Sequence, residues 1–142
     1  MSNQLFTNYD NSKIFVWDNR YSKGTFEYTN NDVTTVTFAA GTLLGRIAAT
    51  DILVPLTSGA SDGSQFPVGI LAEDISVEYG ESYSEIAAFC NYGDVVESKV
   101  LFQGSDAMDT VVSARTLRDR IAADTVGIRL IPSTDLTGTD NA

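Results

Sequence analysis

The sequence predicts a mainly-β fold, a partly closed barrel or sandwich with one short helix near its C-terminal end. Three observations predict it. Short runs of β-branched and aromatic residues recur along the chain, turn residues separate them, and helical spacing of apolar residues occurs in a single late segment. At 142 residues the chain is the size of one ordinary domain.

Residues 1–12 are polar and are expected to lie free until a partner holds them. Lys13-Ile-Phe-Val-Trp17 is the first strand, followed by a turn at Asp18-Asn19. Gly24–Thr29 alternates, with Phe26 and Tyr28 on one face. Asn30-Asn31-Asp32 is turn chemistry, because these side chains bond their own backbone and tolerate left-handed conformations. Val33–Phe38 is dense in β-branched residues and reads as a strand.

Thr42–Thr50 is a further strand, in which Gly45 signals a bulge or a close backbone approach. Asp51 links it to Ile52–Leu56, where Pro55 suggests an edge position. Residues 57–66 form a loop with an Asp62-Gly63 turn. Pro67–Val77 resumes extended structure, Tyr79-Gly80-Glu81 turns it, and Ser84–Cys90 and Asp94–Phe102 follow as strands. Ser113 reads as an N-cap, placing Ala114, Leu117 and Ile121 on one helical stripe with Arg115 and Asp119 paired on another. Val126–Ile131 is the last strand, stopped by Pro132, and residues 133–142 are a polar tail expected to be disordered.

Charge and composition exclude several classes of function. Nineteen acids against nine bases give a net charge of −10, which repels phosphate, so no nucleic-acid partner is expected. Residues 39–112 hold eleven acids but only Arg46 and Lys99 as bases. Those acids serve solubility, and they also suit the solvent side of an assembled particle. The apolar runs fall far short of the ~20 residues of a membrane span, and Met1–Phe6 lacks the basic start of a signal peptide, so no membrane is expected.

No histidine is present, which removes the usual general base and the commonest zinc ligand. Cys90 is the single cysteine, and it shares a strand face with Ile86 and Ala88, so a buried, inert thiol is expected. Glu73 and Asp74 are adjacent, so on a strand they point to opposite faces and cannot flank one bond. Asp106 and Asp109 lack the pattern of a calcium loop. The sequence therefore predicts no enzyme, no catalytic residue, no metal, no cofactor and no small-molecule substrate.

Aromatic residues carry the positive signal. Eight of the fourteen lie within the first 38 residues. Phe26 and Phe38 read as core. Phe6, Tyr9, Phe15, Trp17 and Tyr21 sit in a polar, turn-rich stretch and are either core filling for the first strands or anchors of a docking arm beside an exposed strand edge. Trp17, Tyr21 and Tyr28 would alternatively form the stacking platform of a small carbohydrate-binding module.

The middle of the chain resembles the head decoration proteins of lambda-like tailed phages. The matching residues are Ala40-Gly-Thr-Leu-Leu-Gly-Arg-Ile-Ala-Ala-Thr50, Val54-Pro-Leu56, Ser61-Asp-Gly-Ser64 and Pro67-Val-Gly-Ile-Leu-Ala-Glu-Asp74. Gly93–Leu101 resembles that family's Gly-x-Val-Asn-Glu strand, with Val96 where asparagine is usual, and Leu117-Arg118 with Gly127–Leu130 resembles its ending. The resemblance covers residues 40–131, while residues 1–39 are longer and more aromatic than the pattern.

It implies a compact β-tulip domain over residues 40–131; residues 1–39, which depart from the pattern, read as an extended N-terminal arm and first strands, and residues 132–142 as a tail beyond it. It also implies homotrimers on the exterior of the virion capsid, made in the host cytoplasm, which bind the major capsid protein and stabilise the DNA-filled head. Residues 1–22 would dock by strand addition, with Phe15 and Trp17 as anchors. The near-neutral C-terminal third, with Arg115, Arg118 and Arg120, would supply trimer contacts.

Overall fold

A computed structural model describes residues 14–132 of the chain. The fold is mainly β, 50% strand against 9% helix, as the recurring strand signals predict. Its strands are β1 (Phe15–Thr29), β2 (Val36–Phe38), β3 (Leu43–Arg46), β4 (Leu53–Pro55), β5 (Pro67–Leu71), β6 (Ile75–Val77), β7 (Ser82–Val96), β8 (Val111–Val112), β9 (Arg115–Thr116) and β10 (Gly127–Ile131). Among the described residues one α-helix, α1, spans Leu117–Asp124.

Five strands close into a barrel in the order β1-β4-β3-β5-β7, with β7 pairing back onto β1. The β1–β4 pair is parallel and the other four are antiparallel. β10 extends the sheet beyond β7 as a parallel neighbour, while β2–β6 and β8–β9 are small separate pairs.

The strands β3 and β5 and the later part of β7 are buried on both faces, while β1 and the start of β7 keep a solvent face. Phe26, Leu44, Leu53, Leu71 and Phe89, one from each strand, meet in one core. Leu43, Ile70 and Cys90, each next in sequence to one of those residues, join a second core with Leu117 and Ile121 of α1 and Ile128 of β10. A strand covered on both faces has no solvent side, which is why Thr42-Leu-Leu and Gly69-Ile-Leu read as continuous apolar runs without alternation. Eight residues make too short a helix to persist alone. Burying Leu117 and Ile121 completely contributes about 1.5–3 kcal/mol each, and this holds α1 in place.

Several sequence expectations are corrected. The Asp18-Asn19 turn does not exist, because β1 runs through it as one fifteen-residue strand. The turn propensity is spent on bulges between Phe15 and Tyr21, with Asp18 at φ 49°. Val33–Thr35 belongs to the turn, and the strand starts only at Val36. Thr42–Thr50 is a strand only over β3, and Pro67–Val77 divides into β5 and β6.

β7 continues through Gly93 to Val96, and a 3-10 turn at Glu97–Lys99 replaces the rest of the strand expected to Phe102. Pro55 lies in a barrel strand, not at an edge. It is tolerated because β1 registers with β4 at Leu53, two residues earlier. Ser113 and Ala114, at φ 49° and 71°, form the tight β8–β9 turn instead of starting the helix. Thr116 is the true N-cap, its hydroxyl accepting from the Asp119 amide. The expected Arg115–Asp119 pair is replaced by Arg120–Asp124, four residues apart at 3.2 Å. Ile86, Ala88 and Cys90 do share a face, but the second core reaches only Cys90, so Cys90 is buried while Ile86 is 68% exposed.

Other expectations hold. Leu117 and Ile121 are fully buried, and Gly45 is both bulge and close approach. A Cβ on Gly45 would lie 2.2 Å from the Ser64 carbonyl oxygen. The Asn30 turn closes the end of β1. Its side-chain Nδ2 donates to the carbonyls of Thr34 at 2.9 Å and Val77 at 2.8 Å, while Oδ1 accepts from the Asp32 amide.

Candidate functional site

The lower half of β1 is where aromatic side chains and an open strand edge coincide. From Phe15 to Thr25 one side of β1 pairs with β7, and no described strand pairs with its other side until Phe26 meets Leu53 of β4. Unpaired N–H and C=O groups along such an edge are a template for another strand.

Bulges set the orientation of the side chains here. Gly93 of β7, at φ 112°, packs so closely on this stretch that a Cβ there would be 2.7 Å from the Asp18 carbonyl oxygen. The Asn19 side chain donates to the Asp94 carbonyl at 3.0 Å, tying the bulge down. Phe15 turns inward, half-buried against the second core, and meets Tyr21 edge to face at 5.7 Å. Trp17 and Tyr21 remain 60% and 52% exposed. Partial burial, with Cys90 nearby, raises the Tyr21 hydroxyl pKa above its ordinary value.

Trp17 also walls a shallow cleft of about 320 Å³ with Tyr92 and Gly127. Arg129 closes it with a two-point grip on Asp94, at 2.9 and 2.7 Å, and Arg20 lies over the Tyr92 ring at 4.6 Å. Exposed Val126 directly precedes Gly127. The structure therefore brings Phe15, Trp17 and Tyr21 together, while Phe6 and Tyr9 lie outside the described residues. Tyr28 points elsewhere, its ring 4.7 Å from Phe38 against the barrel core, so it shares no platform with Trp17 and Tyr21.

The three helix-region arginines are employed differently. Arg118 pairs with Glu97 and Asp109. Arg120 donates to the carbonyls of Val112 and Ser113, pairs with Asp124 and lies 4.8 Å over the Phe66 ring. Arg115 is exposed at the β8–β9 turn and forms no ion pair among the described residues.

Glu73 and Asp74 each satisfy a backbone amide, of Ala88 at 2.8 Å and of Ala40 at 2.7 Å. Asp106 holds the Ser58 amide and hydroxyl, joining two loops. Among the described residues no group of three acidic or thiol side chains is placed to hold a metal ion, and no helix is long and apolar enough to cross a membrane.

Sequence reasoning missed Lys23 and Arg46, which face a second cleft beside β1. The available signal was that Arg46 is one of only two bases in an acidic stretch. Residues 16–120 match the family model described as HDPD, bacteriophage lambda head decoration protein D. That span contains nearly all of β1 and the other four barrel strands, whereas the motif resemblance began only at Ala40. No curated protein matches the chain.

Proposed function

The chain belongs to the bacteriophage lambda head decoration protein D family, and from that premise we propose that it binds as a trimer to the outer surface of a tailed-phage capsid and stabilises the DNA-filled head. Membership of the family makes it a structural protein of the phage capsid. The finer reading is supported by one observation above the rest: the exposed Trp17 stands beside an open edge of β1, a strand paired along its other side with β7.

The mechanism is linkage. A protein that binds the assembled shell and not free coat subunits stabilises the shell by mass action. Three copies around a symmetry axis add avidity, so each contact need only be modest. The major capsid protein is the partner, and its extended segments add to the open side of β1 while Phe15, Trp17 and Tyr21 anchor them, together with Phe6 and Tyr9 from the preceding arm. Arg115, with Arg118 and Arg120 behind it, faces the acidic middle of a neighbouring copy in the trimer.

Co-sedimentation with expanded, undecorated heads tests the proposal. The full chain is expected to pellet with the heads, to saturate at three-fold positions and to raise the temperature at which they release DNA. Saturated heads with empty three-fold positions would overturn it. Residues 15–22 are half of β1, so the truncation that probes the arm without cutting the barrel removes residues 1–13.

A further inference from the structure

The open edge of β1 ends at a cleft of about 550 Å³ between β1 and the β3–β4 turn, lined by Lys23, Thr25, Glu27, Arg46 and Asp51 among others. Arg46 is the last residue of β3, and its guanidinium lies 5.9 Å from the centre of the Phe89 ring. Its Nε is shut off from solvent, and among the described residues the Nε has no hydrogen-bond partner and the side chain forms no ion pair. A charged guanidinium with one nitrogen buried and unsatisfied and no counter-ion is costly to hold, and an anionic acceptor that meets the rest of the fork from the cleft offsets that cost.

The two acids of the cleft do not provide that acceptor. Glu27 accepts from the Ser84 hydroxyl at 3.0 Å, and neither Glu27 nor Asp51 pairs with Arg46. Lys23, exposed on β1, adds a second positive charge at the mouth. The cleft thus combines unpaired strand backbone, a guanidinium fork lacking a partner and a flexible ammonium. An extended polypeptide carrying a carboxylate satisfies all three at once.

We propose that this cleft receives an acidic side chain from the extended coat-protein segment that adds to the outer edge of β1, with Arg46 as its principal partner and Lys23 as its second. The proposal rests on the decoration reading and deepens it by assigning a recognition pocket to the docked strand.

The test measures binding of full-length protein to expanded, undecorated heads over a range of salt concentrations. Arg46→Gln is expected to weaken binding about ten-fold or more, and Arg46→Lys to recover part of that loss, since lysine keeps the charge but not the fork. Lys23→Glu, at an exposed position that cannot threaten folding, is expected to weaken binding about three-fold and to flatten its salt dependence. Lys23→Glu and Arg46→Lys decide the matter if Arg46→Gln does not fold.

Wild-type protein that fails to bind heads overturns the decoration reading and this one with it. Wild-type binding, with folded Arg46 and Lys23 variants that bind equally well, overturns this one alone. Self-association of free protein that Arg46→Gln abolishes would assign the cleft to a second copy and overturn the coat-protein assignment.

Discussion

Arg118 of α1 grips Glu97 with two nitrogens, Nε to Oε1 at 2.9 Å and Nη2 to Oε2 at 3.1 Å, and uses the third to reach Asp109 at 2.8 Å. One guanidinium therefore ties the helix to the 3-10 turn after β7 and to the loop before β8. The two carboxylates hold the Arg118 proton well above the ordinary arginine range, Glu97 through its hydrogen bonds being the larger cause.

Arg118→Ala is expected to lower the melting temperature modestly, because the network is solvent-accessible and screened. Its signature is coupling. Glu97→Gln should lose little more stability once Arg118 is gone, and strictly additive losses in a thermal double-mutant cycle would show that the geometry carries no coupling.

Asn30→Ala should cost far more. Asn30 is completely buried, and its side chain serves two carbonyls and one amide, so alanine strands those groups without water. A loss of about 3 kcal/mol in urea unfolding is expected. Asn30→Asp should be nearly as damaging, since a carboxylate cannot donate to Thr34 and Val77.

Glycines separate cleanly by what surrounds them. Gly45→Ala drives a methyl to within 2.2 Å of the backbone of Ser64, a buried residue of the loop before β5 that packs on β3. The clash is with backbone that must shift as a whole, so a loss of about 3 kcal/mol is expected. At Gly59 an added methyl would meet nothing within 4 Å, and the backbone φ is an ordinary one. Gly59→Ala should be neutral or stabilise by about 0.5 kcal/mol through the unfolded chain. Equal melting temperatures for the two variants would contradict this account.

The same distinction explains what could be read from the sequence. The barrel strands were legible because β-branched and apolar residues crowd them, and Gly45 because a glycine inside such a run has few other uses. Strand ends were not. Asp18-Asn19 and Gly93 look like terminators, yet they face each other across β1 and β7 as paired distortions within two long strands. Ser113 looks like a helix cap, but the chain uses it with Ala114 to turn a hairpin, and the helix waits for Thr116.

Of the aromatics near the start of β1, the exposure of Trp17 and Tyr21 was legible from their polar surroundings, whereas the half-burial of Phe15 was not, because the core that receives it comes from distant segments. The recruitment of Arg118 and Arg120 into internal pairs was not, because it depends on Glu97, Asp109 and Val112 arriving from other segments.

Cys90 supplies a pH prediction. Burial raises the thiol pKa above its ordinary value, outweighing the hydrogen bonds from surrounding groups that lower it. The folded state thus holds this proton to higher pH than the unfolded chain does. Its contribution to stability is complete below the ordinary thiol range and is lost as pH rises through the folded pKa. Tyr21, also raised and coupled to Cys90, adds to the same alkaline decline at higher pH. Cys90→Ala should flatten the first part of that decline in denaturant titrations. Thiol labelling of the wild type should proceed only as fast as the chain opens, and rapid labelling of folded protein would refute burial of the sulfur.

Trp17 gives the most direct test of docking, because it is the only tryptophan in the chain and is 60% exposed in the free protein. A large apolar ring left in water gains most of its burial energy when a partner covers it, which is the behaviour of an interface anchor. Labelling the protein with 7-azatryptophan separates this emission from that of the coat protein. On heads, the emission should shift to shorter wavelength and acrylamide should quench it less. Trp17→Ala should weaken head binding about thirty-fold or more, while leaving the melting temperature nearly unchanged because the ring supports neither core. Full binding with Trp17 still open to quencher would move the docking surface away from the lower half of β1.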